Sequence, residues 1–398
     1  MNDASLMHGF PPAPAGQVTL ANWRTAPFNR WSFHHVREIV PSADIANDPE
    51  HVWHLPSAPA DLSRLEVDPG LGFEAFLQKT STDALVILHR GRIVFETLRG
   101  GMTRDTPHIF MSVSKSMLGL ISGILASKGR LDLSNPVTDL VPEVAATAYK
   151  GATLRQLLDM RAGIAFDESH NIPSPAIIAY RKSTLWGPTD PGEAPTDLRS
   201  FYRNLTGSDG PHSGRMHYVS PNTDLLGWAI ERSTGERYVD LASELFWKPL
   251  GAERSAYITV DRFGAPRCAG GYCATAHDLA RVGQLIVQGG RRDSAEIIPQ
   301  AWIEDVLETG DRKAWDRGDF IPYYGDLPIH YRSKWYVRHG VSPLLFGMGI
   351  HGQNLFVDRK RELVIAKLSS QPLPLDAELI QLTMRAVEKI RTFLQKNV

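Results

Sequence analysis

Apolar residues follow two kinds of pattern along the chain, and the first kind predicts strands near both ends. The segment ALVILHRGRIVFETL (84–98) predicts two short strands around a turn at Arg90-Gly91. Near the other end, NLFVD (354–358) and ELVIAKLSS (362–370) flank a basic turn, RKR, and predict a second hairpin. The simplest arrangement is one sheet to which both ends of the chain contribute.

Helical periodicity fills the middle of the chain. After the first hairpin, apolar residues recur at spacings of three and four, which marks one face of a helix. They are Val113, Met117, Leu120, Ile121, Ile124 and Leu125. The other side carries Ser116, Gly119 and Gly123, small enough to let a neighbouring element approach closely, and Gly129 would end the helix. Further helices are predicted at residues 152–160, from Ser220-Pro221 to Gly235, at 279–290 and at 376–396.

One long segment, residues 163–217, follows neither pattern. It contains Pro, Gly, Asp and Ser with few apolar runs, and a loop of that length in a folded chain is typically a lid or a binding loop. We therefore expect a sheet domain built from residues 1–110 and 255–398. A helical domain over residues 111–254 would carry the lid-like loop, and a substrate site would lie in the cleft between the two domains.

Composition narrows the functional classes. The chain has 398 residues and a formal net charge of −1, which gives no electrostatic case for binding nucleic acid or an anionic membrane. No apolar run approaches the roughly 18 residues of a membrane helix. The N-terminal segment MNDASLMHGFPPAPAG lacks the pattern of a secretory signal, so we expect a cytoplasmic protein. Cys268 and Cys273 are then expected to be free thiols.

The segment FMSVSKSML (110–118) contains a serine followed three residues later by a lysine. Residues three apart share a helix face, which would bring the Ser112 hydroxyl and the Lys115 amine together. A hydroxyl becomes a nucleophile when a base removes its proton, and burial lowers the pKa of a lysine toward that role. The first helical turn also offers backbone N–H groups to a developing oxyanion. The alternative is structural, with Ser112 as a helix cap and Lys115 extended toward solvent.

Two later segments carry further candidate chemistry. In HYVSPNTD (217–224), Tyr218 precedes a helix start, where a phenol near Lys115 would suit acid–base catalysis. The alternative is a tyrosine packed at the rim of the core. GMGIHGQNLFVD (347–358) contains G-x-G-x-x-G, but a strand follows it rather than a helix, which argues against a dinucleotide site. Its glycines suit a strand edge that approaches a substrate and turns an N–H toward an oxyanion.

Taken in order, these motifs resemble those of the penicillin-recognising serine hydrolases, which include class C β-lactamases, DD-peptidases and related esterases. Several segments look more specifically like the 6-aminohexanoate-dimer hydrolases, the nylon-oligomer amidases. They are NRW (29–31), MSVSKS, LLDM, NTD, DLARVG, GIHGQN and KLSS. The resemblance covers nearly the whole chain. It implies an α+β, serine β-lactamase-like (DD-peptidase) fold, in which an antiparallel sheet is flanked by helices and an all-α domain is inserted.

The resemblance also implies roles for individual residues. Ser112 would be acylated, with Lys115 and Tyr218 as proton carriers, and the question of which one is the base stays open. The backbone N–H groups of Ser112 and Ile350 would form the oxyanion hole. Six further positions would contact the substrate: His170, Arg181, Trp186, Ser220, His351 and Gly352.

Two of these positions depart from the family's pattern. His170 stands where the nylon-oligomer amidases have a tyrosine, and Arg181 stands where the most active forms have an acidic residue for a substrate ammonium. Because an arginine repels a cationic amine, we expect small carboxylic esters, or amides with a neutral or acidic acyl part, to be better substrates than 6-aminohexanoate oligomers.

Two alternatives remain beside a serine hydrolase of small esters and linear amides. β-Lactamase or DD-peptidase activity is disfavoured because the third motif lacks the lysine that would attract a β-lactam carboxylate. A catalytically silent, ligand-binding homologue is disfavoured by the intact Ser112, Lys115 and Tyr218. No motif implies a metal or an organic cofactor. The resemblance suggests a homodimer, with no residue that would specify it.

Overall fold

In the computed structural model, which describes residues 6–397, seven antiparallel strands form the main sheet. Their spatial order is Ile329–Arg332, Trp335–Arg338, Leu344–Gly349, Gln353–Asp358, Leu363–Ser369, Thr82–His89 and Arg92–Leu98. The two predicted hairpins are neighbours in this sheet, since Ile365 of the second lies opposite Ile87 of the first. The prediction of one sheet built from both ends of the chain is therefore confirmed.

Both faces of the main sheet are covered, which explains why its central strands are buried along their whole length. Helix Ala276–Val287 packs on one face, so closely that a Cβ added to Gly283 would lie 2.3 Å from Val364 Cγ1. The long helix Ala377–Asn397 packs on the other face, where Ile365 and Ile390 belong to one apolar cluster.

Shorter strands, which the sequence analysis did not predict, form three further sheets within the described residues. The largest has the order Ser42–Ile45, Ala256–Thr259, Tyr272–Ala274 and His108–Ile109. The other two are the pairs Glu66–Asp68 with Leu71–Gly72, and Arg291–Arg292 with Ala295–Glu296. The four-stranded sheet matters for the site because His108–Ile109 leads directly into Ser112.

Residues 113–250 are mostly helical. The α-helices here are Val113–Ser127, Val137–Leu140, Leu154–Leu158, Pro175–Ser183, Leu198–Phe201, Pro221–Thr234, Tyr238–Ala242 and Lys248–Leu250, with a π-helical turn at Ser243–Trp247. Elsewhere the α-helices are Asn29–Ser32, Phe73–Lys79, Ala276–Val287, Gln300–Glu308, Arg312–Trp315, Ile321–Tyr324 and Ala377–Asn397. Single 3₁₀ turns occur at Pro14–Gly16, Val36–Glu38, Pro49–His51, Pro142–Val144, Tyr202–Asn204 and Ile350–Gly352.

The helix predictions hold with shifted boundaries. Helix Pro221–Thr234 ends at Gly235, whose φ of 72° is the left-handed conformation that glycine adopts readily. The helix predicted at 279–290 begins at Ala276 instead, because the Thr275 side chain caps it by accepting the N–H of Asp278. The segment 163–217 is not irregular throughout, since Ser174 caps the nine-residue helix Pro175–Ser183 within it. The division into two domains stays a prediction, and its residues 1–5 and 398 lie outside the described part.

Helix Val113–Ser127, called here the Ser112 helix, is buried on all sides over most of its length. The small residues predicted to admit a neighbour do so, because a Cβ added to Gly119 would lie 2.2 Å from the Ser333 carbonyl oxygen. The helix ends in a Schellman motif at Gly129, in which Arg130 N–H donates to the Leu125 carbonyl at 2.9 Å. Lys115 is therefore held inside the protein.

No helix in the described part of the chain is long and apolar enough to cross a membrane.

Candidate active site

Ser112 and Lys115 lie one helical turn apart at the start of the Ser112 helix, and their side chains meet. Lys115 Nζ is 2.8 Å from Ser112 Oγ and 2.7 Å from the carbonyl oxygen of Ala269. Lys115 is only 1% exposed, which excludes the alternative of a lysine extended toward solvent. Burial lowers the pKa of Lys115 to about 7, against the opposing effect of the Glu168 carboxylate. A large fraction of the amine is therefore neutral near pH 7.

Tyr218 completes the group from the opposite side. Its ring centroid lies 4.8 Å from Lys115 Nζ, and Phe320 packs edge-on against the ring at 4.9 Å. The Tyr218 backbone N–H donates to Asp319 Oδ2 at 2.7 Å, which fixes the residue just before helix Pro221–Thr234. Burial raises the pKa of the Tyr218 phenol well above its ordinary value, and Glu168 acts in the same direction. The phenol is thus neutral and able to donate a proton.

The third motif brings a strand end against the backbone of Ser112. A Cβ added to Gly349 would lie 2.7 Å from the Phe110 carbonyl oxygen and 2.9 Å from the Ser112 nitrogen, so only glycine fits. Ile350 follows Gly349 and lines the same cavity as Ser112. Among the backbone hydrogen bonds of the described residues, the N–H groups of Ser112 and Ile350 have no carbonyl partner. Both groups therefore remain available to a substrate oxygen.

Two non-glycine residues with left-handed backbones flank this point. Met111, directly before Ser112, has φ of 46°, and His351, directly after Ile350, has φ of 61°. Such conformations are costly and are concentrated at functional sites. Here they turn the chain so that Ser112 and Ile350 face one cavity.

A cavity of about 820 Å³ opens in front of Ser112, a size that suits a small organic substrate. Apolar residues make up part of the wall: Phe166, Ile172, Pro173, Pro175, Phe320, Met348, Ile350 and Leu375. The polar part includes three carboxylates, Asp167, Glu168 and Asp319, and no Lys or Arg side chain belongs to the described wall. Asp319 is ion-paired with Arg215 and Glu168 lies beside His170, so neighbouring groups partly neutralise the carboxylates that face the cavity.

Glu168 is a site residue that the sequence analysis missed. Its carboxylate accepts hydrogen bonds from both the N–H and the hydroxyl of Ser220, and it lies 3.3 Å from His170 Nε2. Burial acts to raise the pKa of Glu168, but the contact with His170 and the charge on Lys115 outweigh it and lower the pKa below the ordinary value. The only signal in the sequence was an acidic residue two positions before His170 in the predicted lid loop.

The six residues predicted to contact the substrate do not all line the cavity. His170 lines the cavity, whereas its described wall does not include Arg181, Trp186, Ser220, His351 or Gly352. Arg181 lies behind His170, with Nη2 3.5 Å from His170 Nδ1.

Trp186 and His351 are held in structural contacts. Trp186 is 4% exposed, donates from Nε1 to Thr259 Oγ1 at 3.0 Å and packs edge-on against Trp23. His351 Nδ1 is 2.7 Å from the Gln371 carbonyl oxygen, and burial lowers the pKa of His351 to about 3. A neutral imidazole in that position ties the strand end to the segment around Gln371.

The arrangement has the parts of an acyl-transfer site: a hydroxyl, an adjacent amine of lowered pKa, a neutral phenol and two unpaired N–H groups. No group of three or more His, Cys, Asp or Glu side chains within residues 6–397 is arranged to hold a metal ion.

Comparison with known proteins agrees with the geometry. The Beta-lactamase family model matches residues 73–387. The 6-aminohexanoate-dimer hydrolase of Paenarthrobacter ureafaciens is 37% identical over 370 residues, covering 92% of this chain and 91% of that protein.

Solved structures show the same fold. One from Bacillus anthracis, assigned to the 6-aminohexanoate-dimer hydrolases, superposes with a TM-score of 0.85 at 26% identity and covers 97% of this chain and 99% of its own. A family VIII carboxylesterase shares the fold at 17% identity, with a TM-score of 0.56 over 79% of this chain and 95% of its own. The α+β fold predicted from the sequence is confirmed, and the chain belongs to the beta-lactamase family and is a serine hydrolase.

Proposed function

We propose that Ser112 attacks the carbonyl carbon of a small carboxylic ester or linear amide and forms an acyl-enzyme. The observation that carries this proposal is the 2.8 Å contact between Ser112 Oγ and the buried Lys115 Nζ. In the first step the serine oxygen bonds to the carbonyl carbon and the alcohol or amine leaves with a proton. In the second step water takes the place of the leaving group and releases the acid.

Lys115 acts as the base in acylation, and Tyr218 passes a proton to the leaving group. This assignment follows from the opposite pKa shifts of the two groups, because burial favours the neutral amine of Lys115 and the neutral phenol of Tyr218. The N–H groups of Ser112 and Ile350 stabilise the tetrahedral oxyanion, a contribution that is commonly about 100-fold or more in kcat per donor.

The carboxylates in the cavity wall change the expectation about which charge a good substrate carries. The expectation that cationic amines are excluded relied on Arg181 facing the substrate, whereas Arg181 lies behind His170 and three carboxylates line the cavity. Neutral esters therefore fit the cavity better than substrates with an acidic acyl group. The same holds for linear amides with a cationic end, such as the 6-aminohexanoate dimer in the name of the relative. His170, which lines the cavity, is the proposed contact for the substrate chain, and Ser220 supports it from behind through Glu168.

The test compares three esters of matched length whose acyl ends are neutral, cationic and anionic, in the wild type and in Ser112→Ala. We expect turnover of the neutral and cationic esters, slower turnover of the anionic ester, and loss of all three in Ser112→Ala. Equal rates in both proteins would contradict the proposal. The 6-aminohexanoate dimer, assayed beside its ester, then measures the preference between amide and ester.

A chromogenic cephalosporin tests the β-lactamase alternative in the same assay. Because the described cavity wall offers no Lys or Arg to a β-lactam carboxylate, we expect its hydrolysis to be much slower than that of the neutral ester. The expected homodimer and the expected cytoplasmic location also stay predictions. Light scattering after gel filtration tests the first, and fractionation of cells tests the second.

A further inference from the structure

A buried carboxylate holds the loop that anchors Lys115. Asp224, on helix Pro221–Thr234, is 2% exposed, and its Oδ1 accepts the N–H of Ala269 at 2.7 Å. The carbonyl oxygen of Ala269 in turn lies 2.7 Å from Lys115 Nζ. A single residue, Ala269, therefore connects the carboxylate to the amine.

The second oxygen of Asp224 is also occupied. Oδ2 accepts hydrogen bonds from the Arg267 guanidinium and the Tyr180 hydroxyl. The guanidinium lies over two rings, with Cζ 4.1 Å from the centroid of Tyr180 and 5.0 Å from that of Trp186. These contacts hold the chain just before Ala269, and they give Trp186 a place in the support of the site.

We propose that Asp224 is a positioning residue for Lys115, acting through Ala269. A neutral amine has two hydrogens and one lone pair. When the Ala269 carbonyl accepts one hydrogen, that hydrogen is directed away from Ser112, which leaves the lone pair free to face the Ser112 hydroxyl, as removal of the hydroxyl proton requires. The inference rests on the proposed function, because it assigns Asp224 to the same acylation step.

Charge and geometry must be separated in the test, because several charged groups face Lys115. The carboxylates Glu168 and Asp224 raise the pKa of Lys115, Arg267 and burial lower it, and the amine also faces the Tyr218 ring. The charge of Lys115 in turn contributes to lowering the pKa of His170 and the pKa of the buried Lys334. Replacing Asp224 alone would leave Arg267 buried without its partner, which is strongly destabilising.

Two double variants remove the charges of both Asp224 and Arg267, and they differ only in the side chain at position 224. Asp224→Asn with Arg267→Met retains an oxygen that accepts the Ala269 N–H, and Asp224→Leu with Arg267→Met removes it at similar volume. We expect kcat for a neutral ester to be about 10-fold or more lower in the leucine variant than in the asparagine variant, with little difference in KM. The decrease in activity at low pH should be similar in the two double variants, since each of them lacks the charges of Asp224 and Arg267.

A control measures the effect of losing a buried hydrogen bond on the same helix. Tyr149 donates to Asn222 Oδ1 at 2.8 Å, and Tyr149→Phe removes that bond without touching Ala269. Its pH profile should match the wild type. Equal kcat in the two double variants, both shown to be folded by thermal melting, would overturn the role of Asp224. Ser112→Ala, run beside them, separates that failure from a failure of the acyl-enzyme proposal.

Discussion

At the scale of single residues, spacing along the chain predicts local contacts and misses distant ones. The S-x-x-K spacing places Ser112 and Lys115 on one helical turn, and the structure brings their side chains into contact. No local pattern marks Asp319, because it is 101 residues from the Tyr218 backbone that it binds. The sequence also does not show that Arg181 contacts His170 and lies outside the described cavity wall, and its role toward the substrate stays a prediction.

The protonation state of Lys115 sets the pH dependence of activity. Because burial lowers the pKa of Lys115 to about 7, the neutral base is scarce below pH 7 and dominant above it. We expect kcat/KM for a neutral, non-ionising ester to rise with pH through about 7 and then level off. Stopped-flow or plate assays between pH 5 and about 9 measure the profile.

Lys115→Arg tests the same group, since a guanidinium stays protonated throughout this range. Activity should be lost at every pH, whereas Lys128→Arg at the exposed end of the same helix should match the wild type. A wild-type profile without an inflection near pH 7 would show that Lys115 is not the base.

At the scale of elements, glycines and small side chains determine how closely the elements of the site approach one another. The sequence predicts that Gly119 admits a neighbour, but it does not identify the neighbour, which is the hairpin tip at Ser333 and Lys334. Both tip residues have positive φ, of 50° and 69°, as a two-residue hairpin turn of type I′ requires. Such a turn made from Ser and Lys gives no recognisable signal in the sequence.

Gly119→Ala should destabilise the protein, because the new Cβ would lie 2.2 Å from the Ser333 carbonyl oxygen. We expect the free energy of unfolding to fall by about 1–3 kcal/mol, measured by urea titration. Gly340→Ala is the matched control, since the nearest atom to its added Cβ is 4.0 Å away. Equal losses in the two variants would contradict the packing argument.

Gly349→Ala should reduce activity more than stability. Its Cβ would push on the Ser112 nitrogen at 2.9 Å and on the Phe110 carbonyl oxygen at 2.7 Å, and so would separate the two proposed oxyanion donors. We expect kcat to fall by about 100-fold, as when one oxyanion donor is lost, with the protein still folded. Wild-type kcat in a folded Gly349→Ala protein would argue against an oxyanion hole at Ser112 and Ile350.

At the scale of the whole molecule, the predictable part is the sheet and the less predictable part is what surrounds it. The two hairpins gave strong apolar patterns, and they lie side by side as neighbours in one sheet. The four-stranded sheet escaped prediction because its strands have two to four residues, too few to show a period. Yet that sheet contains strand His108–Ile109, which leads directly into the start of the Ser112 helix.

The two cysteines report on the integrity of the whole fold. Cys268 and Cys273 are free and buried, at 1% and 0% exposure, and burial raises the pKa of both thiols. We expect Ellman's reagent to react with neither thiol in the native protein, and reactivity to increase at the same urea concentration as the loss of circular dichroism. Rapid labelling of the native protein would mean that the core around Ala269 opens locally.

The central claim is that Ser112 carries the acyl group, and rapid-quench mass spectrometry of the intact protein tests it most directly. Mixing the enzyme with p-nitrophenyl butyrate and quenching in acid should trap a protein heavier by one butyryl group, and fragmentation should locate that group on Ser112. The adduct should decay as the substrate is consumed and should be absent from Ser112→Ala. Turnover without an adduct, or an adduct on another residue, would contradict the proposed mechanism.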